Sequence, residues 1–129
     1  MDCLPETARV VDRLLPYLEA SEDASQIIHG DIAGNFLFAP GRPPCVIDFA
    51  PYFRPARFAE GVMLADAVTW EGAGHEFLEG AGVSPANVAR GALRRVLEHE
   101  LHFKMRAHGS LEDVNAYGMV LGWLERRAL

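Results

Sequence analysis

Behind Pro5, apolar residues Val11, Leu14, Leu15 and Leu18 recur at three- and four-residue spacing, which predicts a helix over Pro5–Ala20. Pro16 lies inside that stretch and removes a backbone donor, so the helix is expected to bend or end early. After the polar break Ser21–Ser25, the run Gln26-Ile27-Ile28-His29 predicts a short buried strand that feeds the loop Gly30-Asp31-Ile32-Ala33-Gly34. The β-rich segments Asn35–Phe38 and Cys45–Phe49 flank a turn-forming stretch, Ala39–Pro44, and predict a hairpin. Beyond Phe49, Pro51 and Pro55 mark a loop, and everything later follows helical spacing. A nearly uncharged helix is expected over Ala59–Glu71, and one or two helical turns over His75–Glu79. Ser84-Pro85 supplies a cap and a first position for a long helix to about Ala107, with Val88, Leu93, Val96, Leu97, Leu101 and Met105 as its core stripe. Gly109 ends it, and Ser110-Leu111-Glu112-Asp113 opens a last helix through Val114, Tyr117, Leu121 and Leu124. Neither an internal repeat nor a low-complexity tract interrupts the pattern, so the expectation is α+β, mostly α, as one domain over residues 1–129.

Composition narrows the partners. Half of the 129 residues are hydrophobic, enough for one core. No apolar run approaches the ~20 residues of a bilayer-spanning helix, and the start lacks the basic and apolar regions of a signal peptide, so a cytoplasmic protein without a membrane partner is expected. Two cysteines, Cys3 and Cys45, are too few for a disulfide framework or a four-cysteine zinc site and read as reduced thiols. A net charge of −6 argues against a nucleic-acid surface and is compatible with a cationic small molecule. Of the 12 bases, Lys104 is the one lysine.

The candidate chemistry lies in His29-Gly30-Asp31-Ile32-Ala33-Gly34-Asn35 and Val46-Ile47-Asp48-Phe49. Two carboxylates and an amide at the ends of adjacent short strands are how a chain gathers oxygen ligands on one divalent cation, and magnesium, held by one or two carboxylates plus substrate phosphates, is the natural guest. Asn35 and Asp48 would be its ligands. Asp31, left free, can accept a hydroxyl hydrogen and orient that oxygen for attack on a terminal phosphate.

At these residues the sequence resembles the aminoglycoside phosphotransferase and choline kinase group, with the run from Ile28 through Asp66 most similar to an actinobacterial branch of it. That family has a protein-kinase-like fold of two lobes. The resemblance implies Asp31 as the catalytic aspartate, Asn35 and Asp48 as metal ligands, and His29, Gly30 and Gly34 as loop support. It also implies magnesium and ATP as cofactors, a small-molecule hydroxyl as acceptor, and a fold equivalent to the C-terminal, catalytic lobe with its small hairpin. Two features depart from the family. The loop between Asp31 and Asn35 has one residue fewer than usual, with Gly34 available for a tighter turn. The stretch before His29 reads as helix and linker, so the N-terminal sheet lobe, with its phosphate-binding lysine and adenine hinge, is expected to be absent.

Blander readings stand beside these. Either aspartate alone is a common loop-closing residue, and His29 reads better as an imidazole tied to a backbone carbonyl than as an acid or base. His99 and His102 share a helix face and form at most a weak zinc pair without a third ligand. Trp70 and Trp123 read as packing residues, and Arg94-Arg95 and Arg126-Arg127 as solvated helix ends. The functional alternatives are therefore a phosphotransferase lobe incomplete alone, a non-catalytic kinase-like lobe serving as an interaction or oligomerising module, and a split enzyme whose nucleotide lobe is another polypeptide. With no sheet lobe, Phe36, Phe38, Phe53 and Phe58 would be left in water, which leads to the expectation of a homodimer or a separate partner over that face.

Overall fold

A computed structural model describes residues 3–105 and 112–127. Helix α1 (Pro5–Leu14) begins with Pro5 in the first turn and stops just short of Pro16, where the chain tightens into a single 3-10 turn, Leu15–Tyr17. The early end foreseen from Pro16 is thus observed. Helices α2 (Ala56–Trp70), α3 (His75–Gly80) and α4 (Pro85–Lys104) follow the sheets. Ser84 caps α4, its hydroxyl accepting from the Asn87 N–H at 3.3 Å.

The core forms where α2 lies across α4. Two glycines set that crossing. A Cβ on Gly91 would meet the Gly61 carbonyl carbon at 2.4 Å, and one on Gly61 would meet the Asn87 carbonyl oxygen at 2.0 Å, so the backbones touch with no side chain between them. Val62, Leu64, Ala65 and Val68 of α2 and Val88, Ala89, Ala92 and Val96 of α4 are buried around the contact. Val10 and Leu14 of α1 close one side, and α5 (Glu112–Asn115) and α6 (Gly118–Arg127) close the other with Val114, Tyr117, Leu121, Trp123 and Leu124.

Two small antiparallel sheets cover the remaining edge of this helical body, giving an α+β fold that is mostly helical. Strand β1 (Gln26–His29) pairs with β4 (Pro51–Arg54), and β2 (Phe36–Leu37) with β3 (Cys45–Val46). The second pair is the expected hairpin, shortened at both ends. Ile28 and His29, the last two residues of β1, are both buried, 7% and 8% exposed, while Ile27, opposite Phe53, stays in water.

Four expectations are corrected. Pro51–Arg54 is a strand rather than a loop; Pro51 sits at its first position, where a missing N–H is tolerated. Helix α2 starts at Ala56, directly after Pro55, instead of at Ala59. The stripe of α4 runs through Val88, Ala89, Ala92 and Val96, leaving Leu101 and Met105 exposed, because the glycine contact with α2 turns the small-residue face inward. The C-terminal helix is two pieces, α5 and α6. The expected helix end near Ala107, the Gly109 stop and the Ser110 and Leu111 cap positions lie outside the described residues.

Candidate functional site

The loop between β1 and β2 is wired residue to residue. The Asp31 N–H donates to His29 Nδ1 at 3.0 Å, so Nε2 carries the ring hydrogen and donates to the Ile47 carbonyl at 3.1 Å. His29 therefore ties the loop to the strand segment before Asp48, the structural role read from the sequence, and its ring meets Phe49 edge-on. Asn35 closes the loop from the other end. Its side-chain Nδ2 donates to the Asp31 carbonyl at 2.6 Å and its N–H to the Ile32 carbonyl at 3.0 Å. Gly34 has φ +79°, which suits the third position of that turn, so the shortened loop is accommodated by the residue able to adopt it.

Helix α4 grips this loop with two adjacent arginines. The Arg94 guanidinium stacks on the Tyr52 ring, 3.7 Å from its centroid, and Tyr52 packs so closely over Gly30 that a Cβ there would lie 1.9 Å from the ring. Arg95 lies deeper, its side chain 12% exposed. Its Nε donates to both oxygens of Asp66, at 3.1 and 3.0 Å, and its Nη1 to Glu98 at 2.7 Å; its Nη2 reaches Asp66 Oδ2 at 2.6 Å and also binds Asp31 Oδ1. The reading of Arg94-Arg95 as a solvated helix end is overturned. Adjacent positions on α4 point one arginine over the sheet and the other to the buried α2 contact. No local sequence signal pairs residues 29 and 64 positions apart, so this hub was not legible beforehand.

Asp31 and Arg95 lie at a cavity of about 410 Å³. Among the described residues, five carboxylates line it, from Asp31, Asp66, Glu71, Glu98 and Asp113, and one guanidinium, that of Arg95. Trp70, His99, His102 and Ala33 also line it. Trp70, 45% exposed, lines the cavity with one part of its ring and packs against Tyr117 and His99 with the other, and Trp123 is buried at 2%. Behind the wall the Tyr117 hydroxyl accepts from Trp70 Nε1 at 3.2 Å and lies 3.3 Å from His99 Nε2.

Charge within this cluster is strongly organised. Burial works against the Arg95 cation, but hydrogen bonds and charges from Asp66, Glu98 and Asp31 outweigh it and hold its pKa above the ordinary arginine value. Burial pushes the Asp66 carboxyl up, opposed by Arg95. Glu98, against its burial, is held below the usual carboxylate range by Arg95 and Arg94. Burial pushes His99 down toward the neutral imidazole and Tyr117 up.

The structure joins His29, Gly30, Asp31, Gly34 and Asn35 in one loop. Asp48 follows Ile47, whose N–H donates to the Asn35 carbonyl at 2.9 Å, so Asn35 and Asp48 are near neighbours across the hairpin. The two do not line the cavity that Asp31 lines. Asp48 has φ +52°, a left-handed conformation uncommon outside glycine, and among the described residues its exposed carboxylate has no hydrogen-bond or ion-pair partner. With Nδ2 of Asn35 committed to Asp31, its Oδ1 is the end left for a cation. An amide oxygen and a free carboxylate suit magnesium, which needs few protein ligands when phosphates complete its shell. Among the described residues no three His, Cys, Asp or Glu side chains come together to hold a metal, and His99 is engaged by Tyr117, so the zinc pair gains no third ligand. The one lysine, Lys104, sits at the last turn of α4, 3.6 Å from Glu100. No helix of the described residues is long and apolar enough to cross a membrane. No protein-family model, curated protein or solved structure matches the chain.

Proposed function

We propose that this chain is a catalytic lobe of the aminoglycoside phosphotransferase and choline kinase type, binding a small amine-bearing alcohol in the acidic cavity and presenting its hydroxyl to Asp31. The observation that carries the reading is Asp31 on the wall of a cavity that, among the described residues, has five carboxylates against one arginine, with its own carbonyl bound by Asn35, whose carbonyl in turn accepts from the residue before Asp48. Asp31 Oδ1 is held by Arg95, and Oδ2, without a partner among the described residues, accepts the hydrogen of the acceptor hydroxyl and orients its oxygen. Asn35 and Asp48 would hold magnesium, which when bound supplies charge neutralisation for the terminal phosphates of ATP. The cavity carboxylates attract the ammonium group, with Trp70 as an apolar wall beside it.

An NMR titration with glucosamine, glucose and N-acetylglucosamine tests the acceptor reading. Glucosamine is expected to bind at roughly millimolar affinity, more weakly as salt rises, and to shift Trp70 and His99. Equal responses to all three sugars would remove the charge argument on which the reading rests.

A second reading, an interaction or oligomerising module, is favoured by one separate observation. Ile27, Phe38, Phe49 and Phe53 are at least 60% exposed on the sheet side. Of the four phenylalanines expected there, Phe38 and Phe53 are exposed and Phe36 and Phe58 only partly so, while Leu37 and Val46 add to the exposed apolar face. A homodimer covering this face should appear in light scattering at tens of micromolar and dissociate in Phe38→Ser/Phe53→Ser; a wild-type monomer that binds no hydrophobic dye would eliminate it.

A further inference from the structure

We infer that Arg95 is the positioning residue of Asp31, pinning one carboxylate oxygen so that the other meets the acceptor hydroxyl; this rests on the acceptor reading above. The contact is one-sided, because Arg95 Nη2 touches Asp31 Oδ1 and not Oδ2. The Asp31 side chain is 46% exposed, so without a tie its carboxylate would be free to rotate in water. Arg95 has no such freedom. Three contacts to Asp66 and one to Glu98 fix the guanidinium plane, and a planar fork held at Nε and Nη1 delivers its remaining nitrogen to one place. The route to Asp31 therefore runs through the α2–α4 crossing, and Arg94 on Tyr52 fixes the same loop at Gly30. Lysine retains the charge but is a point donor that cannot span three carboxylates at once. Arg95→Lys should thus keep the cavity's attraction for amines and lose the orientation of Asp31.

The probes are 3-amino-1-propanol and propylamine, which differ by the hydroxyl, titrated by NMR into wild type and Arg95→Lys. Wild type is expected to prefer the amino alcohol by about tenfold, the value of a hydrogen bond to a charged acceptor. In Arg95→Lys the two should bind within about twofold of each other. A role for Arg95 confined to tying α4 to Asp66 would leave the hydroxyl preference intact, and that result overturns the inference. Failure of both amines to bind wild type would instead remove the acceptor reading, and the inference with it. As a check independent of ligand and of Arg95 variants folding, the Arg95 guanidinium ¹⁵N–¹H signals should move in Asp31→Asn and stay in place in Glu71→Gln. Unchanged signals in Asp31→Asn would also overturn the inference.

Discussion

Replacing Gly91 by alanine puts a methyl group into the tightest contact of the fold. The added Cβ would sit 2.4 Å from both the Gly61 carbonyl carbon and the Val62 nitrogen, about 1 Å inside ordinary van der Waals distance. Those atoms are backbone in the middle of α2, so the strain cannot be relieved by a rotamer change. Alanine gains about 1 kcal/mol of helix propensity over glycine. Against that, overpacking costs about 1–3 kcal/mol, and separating α2 from α4 by up to about 1 Å forfeits a quarter to a half of each dispersion contact along the interface. With Val62, Ala65, Val88 and Ala92 all buried there, the balance is a net loss of about 2 kcal/mol. For a domain of this size that lowers Tm by about 8 °C. Urea unfolding followed by far-UV circular dichroism measures it. Gly80→Ala is the control, since a Cβ there meets nothing within 4 Å, and it should stay within about 0.5 kcal/mol of wild type. A Gly91→Ala protein as stable as wild type would refute the close approach of the helices.

Arg95→Met leaves Asp66, with its side chain 8% exposed, without its counter-charge, and should cost about 3 kcal/mol, much of it regained in Arg95→Met/Asp66→Leu; equal urea midpoints for Arg95→Met and wild type would contradict this. Acid should weaken the fold in two stages. His99, with its pKa lowered by burial, contributes stability that is complete above its unfolded pKa near 6.5 and is lost as pH falls below it; Glu98, also lowered, does the same below 4.5, while the raised Asp66 partly offsets that second stage. Urea midpoints between pH 7 and 5 should fall less in His99→Gln than in wild type, and equal slopes would sink the assignment. Phosphate transfer from ATP by this chain alone should be slow, because Lys104 is engaged on α4 beside Glu100 and positioning and charge neutralisation carry most phosphoryl-transfer catalysis. Robust turnover abolished by Asp31→Asn would show that expectation wrong.

The elements that local chemistry dictates were legible in the sequence. Pro16 ended α1, Ser84-Pro85 opened α4, and the stretch Ala39–Pro44 reversed the hairpin. His29 was also read correctly, since a histidine beside a tight glycine loop most simply satisfies backbone groups, as it does toward Asp31 and Ile47. What escaped depends on tertiary partners. Strand β4 was hidden by Pro51 and Pro55, and is made by pairing with β1 rather than by its own propensity. The core face of α4 was drawn through its large residues, but the glycine crossing reserves the interior for Ala89, Ala92 and Val96 and turns Leu101 and Met105 to water. Arg95 reads as an ordinary surface arginine until Asp66 and Asp31 arrive from elsewhere in the chain. The acidic cavity, with Trp70 on its wall, is likewise a product of assembly, while its loop residue Asp31 was visible from the start.

Residue-resolved NMR titrations with magnesium and with glucosamine, each alone and then together, test the central claim most directly. The account predicts two neighbouring footprints joined at Asp31: magnesium shifting Asn35 and Asp48, and glucosamine shifting Trp70, His99 and the Arg95 guanidinium, with the glucosamine footprint weakened in Asp31→Asn and the magnesium footprint weakened in Asp48→Ala. Footprints that fall elsewhere, such as the separate cavity lined by Arg54 and Arg90, or a glucosamine response indifferent to Asp31, would contradict it.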